Sequence, residues 1–312
     1  MNDASGGSER RAAALYDELR DHADVVLWSG AEPGPQFAEY PIRRIRLQRL
    51  AFPRTGTFVF VGLYFELGQW LWLTRPGRII LICNTFQSAE LEYRLAHFGR
   101  VLGHPAELVY ASELVREWGR HPGVVHASPI DIDHFSPSDG GSGHRFTVGR
   151  LSRDGPLKHH PRDAALYRRL AEQGCRIRVM GASDALRDAA GENPAIELLP
   201  SCAIEAGAFL QGLDCFFYRT SEEAPEPWGR VVTEAMACGL PVVCHRSGGY
   251  ASIIDHGRNG FLFESDEEAE ALLLALERDP ALRRRVGREA RATIETLLSA
   301  RNRAEMVDFY CR

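Results

Sequence analysis

The sequence predicts an α/β protein of two domains, each built on a parallel sheet, and three observations carry that reading. Apolar strand-like runs alternate with helical patterns along most of the chain, as strand, helix and strand do around a parallel sheet. The stretch S-P-S-D-G-G-S-G at Ser136 to Gly143 interrupts the alternation, and its small turn-forming residues are too polar and flexible to pack as an element. A length of 312 residues is ample for two buried cores.

Taken in order, Ala12, Leu15, Tyr16 and Leu19 have helical spacing between Ser8 and His22, and Asp24 to Trp28 reads as a short buried strand. Strands are expected at Thr57 to Val61, Arg78 to Cys83 and Leu108 to Ala111, with helices at Ala89 to Phe98 and Glu113 to Gly119. Beyond the linker come strand Phe146 to Val148, helix Asp163 to Gln173, and strands Arg176 to Met180, Ile196 to Leu198 and Asp214 to Tyr218. Arg230 to Cys238 favours helix, which Gly239 and Pro241 end. Arg258-Asn259-Gly260 turns the chain into strand Phe261 to Phe263. Ser265 with Glu268 forms a capping-box signature for a helix through Glu277, and Pro280 starts another to about Leu298.

Composition narrows the function. With 45% hydrophobic and 25% charged residues the chain reads as a soluble globular protein, and a net charge of -5 removes the electrostatic reason to expect nucleic acid. The seven cysteines are read as buried thiols of a reducing, cytoplasmic compartment, and the absence of C-x-x-C argues against structural zinc. Met1 to Ser8 lacks the pattern of a secretory signal. Phe58 to Leu73 is apolar but broken by Glu66 and short of the roughly 20 residues that span a bilayer; it reads as a buried strand followed by a helix, with peripheral membrane contact as the alternative. The basic run Arg43, Arg44, Arg46 and Arg49 either meets an anionic acceptor or lipid or is a solvated face.

The segment richest in chemistry is E-E-A-P-E-P-W-G-R-V-V-T-E-A-M-A-C-G-L-P, Glu222 to Pro241. Pro225 and Pro227 hold the loop around Glu226 extended, and Gly229 lets another group approach the backbone. One carboxylate thus precedes a helix and Glu234 projects from its second turn. The amides of Gly229, Arg230, Val231 and Val232, at the positive end of the helix dipole, suit a diphosphate. Carboxylates on either side can accept hydrogen bonds from sugar hydroxyls. The bland alternative is that both acids are merely solvated.

Here the sequence resembles the GT-B glycosyltransferases of family 4, retaining enzymes with an E-x7-E signature, Glu226 to Glu234 in this chain. The resemblance implies two Rossmann-like domains facing a cleft, with Glu226 on the transferred sugar, Glu234 on the nucleotide ribose and the amides after Gly229 on the diphosphate. F-T-V-G-R-L-S-R-D-G-P-L-K, Phe146 to Lys158, looks like the segment that presents an Arg and a Lys to the diphosphate. These are Arg150 and Lys158, with Arg153 a rival for Arg150. Lys158 is the only lysine among 37 lysine and arginine residues. Ser247-Gly248-Gly249 resembles the family's G-G-x-x-E-I turn, with Ser252 in place of Glu. Asn84 stands where many relatives carry a His. His159 and His160 are read as surface residues rather than ligands.

The N-terminal half matches more weakly, through S-P-I-D-I-D-H-F at Ser128 to Phe135 and through Gly6, Gly7 and the helix that follows, which look like the glycine-rich loop and first helix of that domain. On this reading the N-terminal domain is short: either it lacks its first strand, or that strand lies upstream of Met1. The implied division is an acceptor-side domain over 1–140, a nucleotide-sugar domain over 141–298 and a C-terminal helix over 299–312 that crosses back to the first. The implied activity is transfer of a sugar from a nucleotide-diphosphate sugar to a glycan, lipid-linked or small-molecule acceptor, with retention, without cofactor or metal. A nucleotide-sugar-binding partner protein without activity is the second reading. A dinucleotide-dependent oxidoreductase lacks its G-x-G-x-x-G, since Gly181-Ala182-Ser183 is too slight.

Overall fold

The computed structural model describes residues 7–138 and 145–312. The chain divides into two compact units, Met1–Pro129 with Leu298–Arg312, and Ile130–Leu297. Gly6 and most of the glycine-rich linker lie outside the described residues.

The first unit runs α1 (Gly7–Leu19), β1 (Trp28–Ser29), β2 (Arg43–Arg44), β3 (Thr55–Val61), β4 (Arg75–Cys83), α2 (Ser88–Leu102), β5 (Glu107–Tyr110), α3 (Glu113–Gly119) and β6 (Val124–Val125). Strands β3-β4-β5-β6 form a parallel sheet in that order. Ile79 to Cys83 in β4 are at most 1% exposed because both faces are covered. Ile80 and Ile82 pack with Leu15 and Leu19 of α1 and with Met306 and Tyr310 of the last helix, Ala300–Cys311. Leu81 and Cys83 pack with Leu91 and Phe98 of α2 and Val115 of α3.

Three expectations need correction here. Helix α1 already includes Gly7, so the glycine and Ser8 belong to its first turn rather than to a preceding loop. The strand expected at Asp24 to Trp28 shrinks to Trp28–Ser29, which pairs with β2 outside the four-stranded sheet; Val25 is half-buried against the Ile80 and Ile82 cluster without strand pairing. The helix expected after β3 is a single 3-10 stretch, Gln69–Leu73.

The second unit contains β7 (Thr147–Leu151), α4 (Asp163–Glu172), β8 (Arg176–Met180), α5 (Asp184–Ala190), β9 (Ile196–Leu199), α6 (Ala206–Gln211), β10 (Cys215–Tyr218), α7 (Arg230–Ala237), β11 (Val242–His245), β12 (Phe261–Phe263), α8 (Asp266–Arg278) and α9 (Pro280–Leu297). Its parallel sheet has the order β12-β11-β10-β7-β8-β9. Val148, Ile177, Val179, Phe217 and Phe263 meet Leu166, Leu170, Leu273, Leu276 and Val286 in one core. The capping box of α8 is shifted by one residue: Ser265 accepts from the Glu268 amide, but the Glu268 carboxylate accepts from Glu264.

The strand order decides where a ligand goes. From β7 the chain winds outward through β8 and β9, then returns to β10 on the other side of β7 and winds outward again. The reversal between β7 and β10 is a topological switch point, and open α/β sheets bind ligands at the carboxyl ends of the strands there. The cysteines are less uniform than expected: Cys83, Cys175, Cys215, Cys238 and Cys244 are buried, but Cys202 and Cys311 are exposed.

Candidate functional site

Two loops flank the switch point. The first, residues 152–162 after β7, carries Arg153, Lys158, His159 and His160; the second, residues 219–229 after β10, carries Glu226. The first is held by a close approach that only glycine permits. A Cβ on Gly181, at φ +91°, would lie 1.8 Å from the Ser152 carbonyl oxygen. His159 Nε2 then donates to the Gly181 carbonyl at 2.7 Å. Burial, aided by the Arg150 charge, pushes the His159 imidazole down to about 4, so it is neutral near pH 7. His160 is also buried, its amide donating to Asp163 and its Nδ1 accepting from the Arg162 amide. Neither histidine is a surface residue; both fasten the loop.

Lys158 reaches from the first loop to the second. Its Nζ donates to Glu226 Oε2 at 2.6 Å, and the Tyr218 hydroxyl donates to the same oxygen at 2.8 Å. Burial opposes ionisation of Glu226, but the Lys158 charge and hydrogen bonds from Lys158, Tyr218 and the Gly229 amide outweigh it, holding the carboxyl below its ordinary range. The Gly249 amide donates to the Glu226 carbonyl at 2.8 Å, so the Gly248-Gly249 turn holds the backbone of the carboxylate. Ser252 turns its hydroxyl back onto the Gly249 carbonyl.

Gly229, the residue before α7, sits at φ +78°, and a Cβ there would lie 2.6 Å from Tyr250 Cδ1. No side chain caps α7. Its amides are not all available as expected: Gly229 donates to Glu226, and Val232 donates to the Gly229 carbonyl at 2.8 Å. Val231 contributes a first-turn amide at the start of α7, where the helix's own geometry offers no acceptor. Glu234 is buried, and its Oε1 accepts from Arg230 Nε at 2.7 Å.

Arg150 is not a surface cation. It is 1% exposed, and its guanidinium donates to the Arg219 and Lys158 carbonyls, lies 3.5 Å from Asp163 and covers the Tyr218 ring at 4.8 Å. Arg153 is exposed on the loop. The sequence reading missed the network behind Arg150, in which Arg219 donates to Asp163 Oδ1 at 2.6 Å and to Asp266. The partners lie far apart in sequence, and no local pattern announces them.

In the first unit Asn84, just after β4, donates from Nδ2 to Ser8 Oγ at 2.8 Å, while its Oδ1 is buried without a partner among the described residues. Gly7 and Asn84 are thus brought to one place through Ser8. Gly6 lies outside the described residues.

Comparison with known proteins follows the same lines. Residues 168–293 match the family described as "Glycosyl transferases group 1". The D-inositol 3-phosphate glycosyltransferase of Pseudarthrobacter chlorophenolicus is 29% identical over 205 residues, covering 58% of this chain and 48% of that protein. The chain spans about half the length of the curated relatives it matches first. Among solved structures, Anabaena Alr3699/HepE in complex with UDP-glucose superposes with a TM-score of 0.74 at 16% identity over 99% of this chain and 97% of that one. The chain has the GT-B glycosyltransferase fold. A second GT-B protein, WaaG, described as a glycosyltransferase involved in lipopolysaccharide biosynthesis, gives 0.72 at 15% identity, covering 99% and 97%. The family match within this GT-B chain includes Glu226, Gly229 to Val232, Glu234, Gly248 and Gly249, but stops short of Arg150, Arg153 and Lys158.

Proposed function

We propose that the protein transfers a sugar from a nucleoside-diphosphate sugar to a glycan, lipid-linked or small-molecule acceptor in the cytoplasm, with retention of anomeric configuration. The observation that carries this is the Lys158–Glu226 pair at the switch point, beside the uncapped N-terminus of α7. An ammonium and a helix terminus together suit a leaving diphosphate. In this reading the amides at the start of α7, Lys158 and Arg153 receive the phosphates, so the positive charge comes from the protein and not from a metal or cofactor. Glu234 accepts the ribose hydroxyls. Glu226 positions the sugar and stabilises its oxocarbenium-like state, and Lys158 passes from Glu226 to the phosphate as the diphosphate departs. Arg150 acts at one remove, fixing the carbonyl of Lys158. Asn84, with its unpartnered carbonyl, keeps a hydrogen-bonding role toward the sugar.

HepE was crystallised with UDP-glucose, which makes uridine diphosphate the first ligand to test. The experiment is a thermal-shift panel of nucleoside diphosphates, followed by a product assay with the sugar nucleotides of whichever base binds. Stabilisation by one base and turnover of its sugar nucleotide are expected; no stabilisation by any would overturn the reading. The second reading, a sugar-nucleotide-binding partner without activity, is favoured by Asn84, whose amide cannot shuttle a proton, and by Ser252, whose hydroxyl is spent on Gly249. Binding without turnover distinguishes it.

A further inference from the structure

We propose that one face of the first unit, formed by residues 43–54 and 69–75, docks on a membrane surface bearing anionic lipid. Residues 41–89 contain seven arginines and one carboxylate, Glu66, in a chain whose net charge is -5. Arg44 and Arg78 are paired with Glu32 and Glu107. Arg43, Arg46, Arg49, Arg54 and Arg75 meet no carboxylate among the described residues, so a concentrated positive charge stands uncompensated on an acidic protein.

The same face is apolar at its tips. Phe52, Trp70 and Leu71 are buried in one small cluster with Leu47, which draws the turn Leu47–Arg49 and the turn Gln69–Leu73 together. The Phe52 and Trp70 rings are 6.4 Å apart, and the Arg75 amide donates to the Arg54 carbonyl at 2.7 Å. On these anchored turns Leu50 is 60%, Trp72 60% and Leu73 56% exposed. Large apolar side chains this exposed carry a cost unless something covers them. Tryptophan and leucine at headgroup depth, ringed by arginines that meet lipid phosphates, match a charged bilayer in both respects. The described helices include none long and apolar enough to cross a membrane, so the contact is with the surface.

The test is flotation of the whole protein with vesicles of phosphatidylglycerol and phosphatidylcholine, against vesicles of phosphatidylcholine alone. Binding to the anionic vesicles at least roughly tenfold tighter, and weakening as salt is raised, is expected. Trp72→Ser with Leu73→Ser should weaken it roughly tenfold or more, and Arg46→Gln with Arg49→Gln roughly fivefold per arginine, with melting temperatures near that of the parent. Equal binding to both vesicle types, or parent-like binding by both variants, would overturn the proposal. So would self-association or capture of a protein through this patch without vesicle binding.

Discussion

The Lys158 ammonium donates to Glu226 Oε2 across 2.6 Å, so the lone lysine and the first carboxylate of the E-x7-E motif are one ion pair. A diphosphate entering beside them competes with Glu226 for that ammonium. Glu226→Gln therefore removes the competitor while keeping the shape, and the bare nucleoside diphosphate should bind at least as tightly as to the parent. Sugar transfer should fall roughly a hundredfold, and further in Glu226→Ala, because the lost charge acts in the transition state. Calorimetry beside a product assay reads both; unchanged transfer in Glu226→Ala would remove the catalytic assignment.

Lys158→Ala should also cost roughly a hundredfold in turnover. Its effect on stability should be about 1 kcal/mol or less, since the pair is partly solvated and Glu226 keeps its bonds from Tyr218 and Gly229. Lys158→Arg should not restore turnover, because a planar fork does not replace a compact ammonium on this short loop. Parent-like turnover in either variant would show the lysine to be incidental.

Gly229→Ala tests the backbone at the start of α7. The new Cβ meets Tyr250 at 2.6 Å in a left-handed conformation, which should cost roughly 1 to 3 kcal/mol by strain. The loss of nucleotide affinity should exceed that of a surface substitution on α9, because the Arg230 and Val231 amides shift with it. Thermal melting with and without nucleotide separates the two effects.

Much of the fold was legible in its strands: Arg176–Met180 and Phe261–Phe263 lie where expected. Helices α5 and α6, of seven and six residues, are absent from the sequence reading. At the site, Glu226 was legible from its prolines and from the helix signals after Gly229, and Lys158 from its solitude. The burial of Arg150 was not legible. A strand residue's direction depends on its alternation between faces, and the buried carboxylate that could receive it, Asp163, belongs to a helix. Asp163 and Arg219, 56 positions apart, meet only through the sheet order.

Stability should depend on pH through His159. Its folded value of about 4 lies below its ordinary 6.5, so between these values the unfolded chain takes up a proton that the folded chain refuses. Stability is therefore full above about pH 6.5 and is lost as the pH falls toward 4, by roughly 3 kcal/mol from this group. His159→Asn should flatten that part of the pH dependence while lowering stability at neutral pH, where the bond to Gly181 is lost. Chemical denaturation across this range measures it; an unchanged slope would show that the imidazole is not held neutral.

Arg150 and Arg153 offer the sharpest test of which cation meets the phosphates. Arg150 is sealed between Tyr218, Asp163 and two carbonyls, so its removal leaves acceptors and part of a carboxylate's charge unmatched in the interior. Arg150→Met should cost roughly 3 to 5 kcal/mol of stability, although Asp163 retains Arg219. Arg153 is exposed on the loop, and Arg153→Ala should leave stability within about 0.5 kcal/mol. Nucleotide affinity should separate them in the opposite sense: Arg153→Ala should weaken diphosphate binding severalfold, more at low salt than at high, because an exposed cation acts on a bound anion through screened charge. Arg150→Met, measured where it is still folded, should change turnover through the placement of Lys158 and show little salt dependence. Denaturant melts and calorimetry at two ionic strengths read all four quantities. A salt-dependent loss of affinity in Arg150→Met, with none in Arg153→Ala, would return the phosphate contact to Arg150 and require the loop to open when nucleotide binds.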